Sequence, residues 1–216
     1  STDDTDKIIE EFKIKYPRII FERFTQRTGK IEIINKLASQ ASDQILIFTD
    51  AHAIFYPESI YHLVKHFKNP EINVVGGKMD VQHQKYGTIA YQEKSYFKNE
   101  YAIKYAEGKL WGSMVGAFGS FYALRRSKWF AVPANFIGDD FYISLKAIEK
   151  GGKAIFEPEA IVGMGISESI KEEFRRKSRI ATGNFQNLFA LFHMLIPTRP
   201  GLSFSFFSHK VLRWLG

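Results

Sequence analysis

The sequence predicts an α/β protein in which a mixed, mostly parallel β-sheet is flanked by helices and followed by a basic, helical tail. Helical and strand patterns alternate along the 216 residues, an order typical of a sheet layered by helices. Residues 45–49 (ILIFT) form a continuous apolar run, which is typical of a buried parallel strand. The chain also contains 16 Gly, 20 Phe, 10 Tyr and 3 Trp, which suits a single sizeable core crossed by many turns.

The first half of the chain predicts helices that alternate with strands. Caps, prolines and apolar spacing set their bounds. The predicted elements are a helix capped by Thr2 or Asp3 and ended by Pro17, a strand at 19–21, a helix from Gly29, the strand at 45–49, a helix entered at Pro57, and a strand at 73–75.

The second half continues the alternation and ends in the tail. The predicted elements are a helix at 88–107, a strand at 118–124, a helix at 139–150 ended by two glycines, a strand at 154–156, and an amphipathic tail helix at 185–196. This tail helix is expected to present Phe185, Leu188, Phe189 and Phe192 to a membrane interface or to membrane helices; packing on the core is the alternative.

The formal net charge of +7 is concentrated near the carboxyl terminus. Seven basic residues and no acidic residue follow Phe174, so the first 173 residues sum to zero. The apolar run at 188–196 is shorter than the roughly 18 to 20 residues that a membrane-spanning helix needs. The tail is therefore suited to lie on a membrane or to pack on the domain. One basic patch without a recognition module argues against nucleic acid as a partner.

Several classes of chemistry are excluded by composition and motif. The chain contains no Cys, which excludes disulfides, thiolate metal sites and a Cys nucleophile. A Gly-x-Ser-x-Gly elbow and an HExxH motif are also absent. His62 and His66 are four residues apart, and without HExxH they are expected to face solvent.

Asp50 directly follows the apolar run at 45–49, and His52 lies two residues further on. Ligands of α/β sheets bind beyond the carboxyl ends of the strands. A carboxylate there is suited to a hard divalent cation that holds a phosphate-bearing substrate, and Mn²⁺ also accepts imidazole. The alternative is an aspartate that merely caps a turn.

Asp139 and Asp140 open a predicted helix directly after Gly138. Adjacent like charges resist joint ionisation, so one of the two carboxyls is expected to have a raised pKa suited to a general base. The alternative is that both acids only complement the helix dipole.

Arg176 and Arg179 lie three residues apart in a basic stretch. This spacing places them on one face of a helix, where they could bind a diphosphate. A solvated basic face is the alternative.

Taken in order, six stretches resemble the successive motifs of family-two glycosyltransferases with the GT-A fold. They are STDDT (1–5), RTGK (27–30), ILIFTDAH (45–52), GAFGSFYALRR (116–126), GDDF (138–141) and RRKSRIATGN (175–184). The closing SHKVLRWL (208–215) resembles the segment that leads into membrane helices in bacterial members. The resemblance covers nearly the whole chain.

The resemblance implies an inverting glycosyltransferase assisted by a divalent metal, Mn²⁺ or Mg²⁺. Its donor would be a nucleoside-diphosphate sugar, with UDP-sugars favoured, and its acceptor a glycan or a lipid-linked molecule. Asp50 matches the first Asp of the family's metal motif, and His52 replaces the second. Asp140 matches the general base, with Asp139 as its orienting neighbour.

Further residues are assigned by the same resemblance. Lys30 matches a lysine near the nucleotide, and Gly116, Ala117, Phe118 and Gly119 match the floor of the acceptor pocket. Arg176 and Arg179 lie where processive members carry Gln-x-x-Arg-Trp. Arg176 replaces the Gln and Ile180 the Trp, which weakens the case for a processive polymerase.

The resemblance also implies a division of the chain and a location. Residues 1–184 would be a catalytic domain that lacks its amino-terminal strand region, and residues 185–216 an amphipathic tail next to missing membrane helices. The expected place is the cytoplasmic face of a bacterial inner membrane, in polysaccharide biosynthesis for the cell envelope. The alternative is a catalytically degenerate domain that binds a sugar nucleotide or a glycan.

Overall fold

A five-stranded mixed sheet forms the centre of the computed structural model, which describes residues 4–82, 88–165 and 170–215. The strand order is β1-β4-β3-β5-β2. The strands are β1 Ile45–Thr49, β2 Ile54–Phe55, β3 Ile72–Gln82, β4 Phe121–Arg125 and β5 Lys153–Gly165. The predicted α/β class and mixed sheet are confirmed.

Helices flank this sheet, although the first two helices follow one another directly, as do the first two strands, so the predicted alternation is present only in part. The helices are α1 Thr5–Lys15, α2 Lys30–Gln40, α3 Ser59–Val64, α4 Thr88–Trp111, α5 Asp139–Glu149, α6 Ile170–Ala190, α7 Pro200–Ser205 and α8 Leu212–Leu215, with a π-helical turn at Phe206–Val211. Asp4 precedes α1, whereas the predicted caps Thr2 and Asp3 lie outside the described residues.

The strand directions differ in part from the prediction. β3 and β5 are parallel, and the three other pairings among the described strands are antiparallel. The expectation that residues 45–49 form a buried parallel strand is wrong, because β1 pairs with β4 in antiparallel orientation at the edge of this sheet. A continuous apolar run indicates burial, but it carries no information about the direction of a partner strand that is distant in sequence.

The predicted strand at 19–21 is also wrong. These residues form no strand and Ile20 is 86% exposed. The Ile19 N–H donates to the carbonyl of Tyr16 at 3.0 Å. This donor is therefore used in a turn and is not free to pair with a neighbouring strand.

The core lies on both faces of the sheet because side chains alternate along the strands. Val74 and Leu124 pack into the larger cluster, together with α5 and residues of the carboxyl-terminal segment. Their neighbours Val75 and Ala123 pack into a smaller cluster under α3. The sheet is thus covered on both sides, and the strand ends are left to form a site.

The carboxyl-terminal segment differs from the predicted amphipathic helix at 185–196. Helix α6 ends at Ala190 and a 3₁₀ turn follows at Phe192–Leu195. Leu188 is buried, contrary to the prediction, because it packs into the larger cluster. Leu202, Phe206 and Val211 belong to the same cluster.

The predicted boundary between residues 184 and 185 falls inside α6, and the division into two parts stays a prediction. Phe185, Phe189 and Phe192 are exposed as predicted. Within the described residues, no helix combines the length and apolarity that a bilayer crossing requires.

Candidate active site

Two predicted site carboxylates converge on two consecutive residues of one loop. The Ser120 hydroxyl donates to Oδ2 of Asp50 at 2.8 Å. A Cβ added to Gly119 would lie 2.9 Å from Oδ2 of Asp140. Asp50, at the end of β1, and Asp140, in the first turn of α5, therefore lie close to the same short stretch of chain.

Lys30 brings a positive charge to these carboxylates. Its ammonium lies 3.1 Å from Oδ1 and 3.0 Å from Oδ2 of Asp139. Burial opposes the charged form, but attraction to Asp139, and then to Asp140 and Asp50, outweighs it and raises the pKa of Lys30. One lysine at the start of α2 thus interacts with all three acids.

Asp140 has the electrostatic character of a proton acceptor. Burial, followed by repulsion from Asp139, raises the pKa of its carboxyl, and Lys30 and Lys104 offset part of this rise. Its Oδ1 accepts the backbone N–H of Phe141 at 2.9 Å, which holds the carboxyl at the helix start. A raised pKa brings a carboxylate closer to the range in which a general base is effective.

Asp50 and His52 occupy the turn that follows β1. The Ala53 N–H donates to the Asp50 carbonyl at 3.1 Å, so Asp50 takes part in a turn and also faces the cleft. His52 is exposed in this turn. The apolar run before Asp50 would suit a central strand, but β1 is an edge strand of the described sheet.

The donor set fits a hard divalent cation. Asp50 supplies carboxylate oxygens, which Mg²⁺ and Mn²⁺ prefer, and His52 two residues further on offers an imidazole that Mn²⁺ accepts. Among the described residues, three His or carboxylate ligand atoms lie within 4.8 Å of one another at His62, Glu157 and Glu159, not at Asp50. A cation at Asp50 therefore needs oxygens from a substrate or from water to complete its coordination.

The glycine loop at 116–119 is fixed against α5. Gly116 has a φ of +75°, and an added Cβ would meet the ring of Phe141 at 2.5 Å, so only glycine fits there. The Ala117 N–H donates to the Ser144 hydroxyl at 3.2 Å. The loop therefore has one defined path past Asp140.

Two buried charged residues of α4 hold the amino-terminal side of this loop. Lys104 donates to the carbonyl of Val115 at 3.0 Å and to that of Gly116, and Glu107 accepts the Val115 N–H at 3.0 Å. Sequence reasoning missed both residues. Their spacing with Glu100, at i, i+4 and i+7, was the available signal, because it places all three charges on one helix face.

The basic helix face predicted for α6 is present but does not touch the carboxylates directly. Arg176 and Arg179 are exposed. Gly183, one turn after Arg179, packs so closely on the loop before α5 that an added Cβ would lie 2.9 Å from the Gly138 nitrogen. Arg179 thus lies on the helix face that leads toward the site, and Arg176 lies one turn further away.

His62 and His66, predicted to face solvent, are half-buried instead. His62 Nδ1 lies 3.1 Å from Glu159, and His66 Nε2 lies 2.5 Å from Glu157. Contacts with these carboxylates on β5 partly bury the two imidazole rings. The pairing could not be predicted from local pattern, because the histidines and the glutamates are far apart in sequence.

The fold is that of the GT-A glycosyltransferases, and solved structures of such enzymes share it. A mannosyltransferase from Pyrobaculum calidifontis in complex with GDP-Man and Mn²⁺ matches with a TM-score of 0.74 at 19% identity, over 94% of this chain and 57% of its own. GalNAc-T7 with UDP, GalNAc and Mn²⁺ matches with a TM-score of 0.52 at 19% identity, over 77% of this chain and 35% of its own.

The chain belongs to glycosyl transferase family 2, whose family model matches residues 1–130. The poly-beta-1,6-N-acetyl-D-glucosamine synthase of Staphylococcus aureus strain COL is 24% identical over 204 residues, which cover 92% of this chain and 49% of the synthase. The Staphylococcus epidermidis synthase is 25% identical over 203 residues, with the same coverage. The chain therefore spans about half the length of these relatives.

Proposed function

We propose that this chain is the catalytic domain of an inverting glycosyltransferase that moves a sugar from a nucleoside diphosphate to an acceptor hydroxyl. The observation that carries the proposal is the convergence of Asp50 and Asp140 on Ser120 and Gly119, with Lys30 facing both acids. One cleft thereby combines a cation-binding carboxylate, a cationic side chain and a base.

Asp140 is proposed as the general base. Its carboxylate takes the proton of the acceptor hydroxyl while that oxygen attacks the anomeric carbon from the face opposite the diphosphate. The bond from the anomeric carbon to the diphosphate oxygen breaks, and the sugar inverts its configuration. Asp139 holds Lys30 in place, and Asp140 then releases the proton to solvent.

Asp50, with His52 beside it, is proposed to hold a divalent cation, Mn²⁺ or Mg²⁺. Such a cation supplies charge neutralisation for the diphosphate. Lys30 adds a second positive charge, and Arg176 and Arg179 are proposed to contact the diphosphate from α6. The Mn²⁺ named with both solved neighbours supports this assignment.

A UDP-sugar is proposed as donor and a glycan or lipid-linked molecule as acceptor. The relatives are named as synthases of an N-acetylglucosamine polymer, so UDP-N-acetylglucosamine is the first donor to test. Wild-type protein is incubated with this donor, Mn²⁺ and N-acetylglucosamine oligomers, and UDP release and the anomeric configuration of the product are measured. Retained configuration, or no transfer with any donor of a UDP- and GDP-sugar panel, contradicts the proposal.

The alternative function is sugar-nucleotide or glycan binding without transfer. The observation that favours it is His52. This residue is exposed, and it replaces the second Asp of the family's metal motif. Calorimetric titration separates the two functions. Metal-dependent binding of a UDP-sugar without UDP release supports the degenerate domain, and glycan binding without metal supports a glycan-binding module.

We further propose that the carboxyl-terminal segment meets a membrane at the cytoplasmic face of a bacterial cell. Phe189 is 77% exposed and Phe192 is 62% exposed, and the basic Arg175 and Arg179 on α6 are exposed as well. Aromatic and basic side chains together favour an anionic lipid surface. Binding to vesicles that is indifferent to anionic lipid content contradicts this proposal.

A further inference from the structure

A buried cluster of ionisable side chains joins α4 to the carboxyl-terminal segment. Its members are Glu100, Lys104, Glu107, His209, Lys210 and Arg213. Glu100 alone contacts four of them, at 3.4 Å from Lys104, 3.0 Å from His209, 2.5 Å from Lys210 and 2.9 Å from Arg213. Arg213 is partly exposed and the other five are buried.

His209 bridges the two acids of this cluster. Its Nδ1 lies 2.7 Å from Oε1 of Glu107, and its Nε2 lies 3.0 Å from Oε2 of Glu100. Each ring nitrogen thus faces a carboxylate oxygen, and the one ring spans the gap between the two acids.

The acid on one side of His209 also holds the glycine loop. The second oxygen of Glu107 accepts the Val115 N–H at 3.0 Å. Lys104, paired with Glu100, holds the carbonyls of Val115 and Gly116. A continuous chain of contacts thus runs from His209 through Glu107 to the loop whose Gly119 lies so near Asp140 that an added Cβ would be 2.9 Å from its Oδ2.

Stability alone does not account for this cluster. Burying charges costs desolvation free energy, and apolar side chains of similar volume are often equally stabilising or better. A fully satisfied buried polar network instead selects one arrangement of the groups that it contacts. In this protein, the groups contacted are the backbone atoms of a loop next to the proposed base.

We propose that His209 is a positioning residue for the reaction. Through Glu107 it fixes the path of the loop at 115–119, and the path of this loop sets how the acceptor lies against Asp140. This inference rests on the proposed function. It links the end of the chain around His209 to the placement of the acceptor.

The test compares His209→Gln with His193→Gln in the full-length protein. His193 also pairs with a glutamate, Glu149, at 2.5 Å, but it is half-exposed and Glu149 lies at the opposite end of α5 from Asp140. Glutamine donates from one end only, so His209→Gln cannot serve both acids. Loss of a charge-assisted hydrogen bond predicts a fall of about tenfold or more in kcat/KM for N-acetylglucosamine oligomers.

The affinity for UDP-N-acetylglucosamine should stay within about twofold of wild type, because Lys30 and Asp50 are untouched. His193→Gln should match wild type in both measurements. A role confined to stability would instead lower the folded fraction and leave both constants unchanged in the folded protein, which would overturn the inference.

Hydrogen exchange provides a readout that does not depend on turnover. The amides of residues 115–120 should exchange faster in His209→Gln than in wild type or His193→Gln, and unchanged exchange would overturn the inference. If His209→Gln does not fold, the same exchange measurement is made on Glu107→Gln, which keeps the size of the side chain. Wild-type protein that neither binds nor turns over a sugar nucleotide would overturn the proposed function. The exchange measurement would still test whether His209 orders the loop at 115–119.

Discussion

Replacing Asp140 by Asn removes the proposed base and leaves its surroundings in place. The Asn oxygen still accepts the Phe141 N–H, and the pair between Lys30 and Asp139 is retained. A general base contributes about 10²- to 10⁴-fold to a rate, which corresponds to about 2.7 to 5.4 kcal/mol of transition-state stabilisation. We expect kcat to fall by at least about a hundredfold, while the affinity for a UDP-sugar is unchanged.

The same substitution should raise stability. Burial and Asp139 raise the pKa of Asp140 above its ordinary value of 3.8, so ionisation of this carboxyl is less favourable in the folded than in the unfolded protein. The wild type therefore loses stability as the pH rises from the ordinary pKa toward the folded pKa, and Asn does not. The melting temperature of Asp140→Asn should exceed that of wild type near neutral pH, and the difference should vanish below about pH 3.8.

Asp139→Asn is the matched control, with the opposite sign. It leaves the ammonium of Lys30 without its partner, and because that lysine is half-exposed the cost is about 1 kcal/mol, or about 2 to 4 °C in melting temperature for a domain of this size. Thermal unfolding from acidic to mildly alkaline pH, paired with steady-state kinetics, measures both effects. Near-wild-type turnover by Asp140→Asn, or a melting temperature below wild type at neutral pH, would refute the reasoning.

Three smaller predictions concern other contacts of the site and the tail. Gly119→Ala places a methyl group 2.9 Å from Oδ2 of Asp140, so kinetics should show at least about a tenfold loss of kcat, equivalent to about 1.4 kcal/mol, in protein that still folds. Ser120→Ala removes the donor to Asp50, and titration of activity with Mn²⁺ should show an activation constant changed by about fivefold, equivalent to about 1 kcal/mol. Phe189→Ser should weaken binding to anionic vesicles without changing turnover on a soluble acceptor, and equal sedimentation of both proteins would contradict the membrane proposal.

The sequence predicted those parts of the site that follow from local pattern. Asp50 comes directly after an apolar run, and Asp139 and Asp140 come directly after Gly138. Such positions lie at strand or helix ends whatever the partners are, so local pattern alone was enough to mark these acids as candidate site residues.

Other parts of the fold depend on partners that are distant in sequence. The direction of β1 is set by pairing with β4, and nothing in residues 45–49 encodes it. Lys104 and Glu107 were missed because charged residues of a helix are expected in solvent. Glu107 is buried against His209, which lies far along the chain, and Lys104 is buried against the carbonyls of Val115 and Gly116.

The contacts of Gly119 and Ser120 have a mechanical consequence. Ser120 donates to Asp50, and Gly119 lies so near Asp140 that an added Cβ would be 2.9 Å from its carboxylate. A single planar peptide unit joins these two residues. A change of backbone conformation at this one point of the chain would therefore alter the surroundings of both acids together.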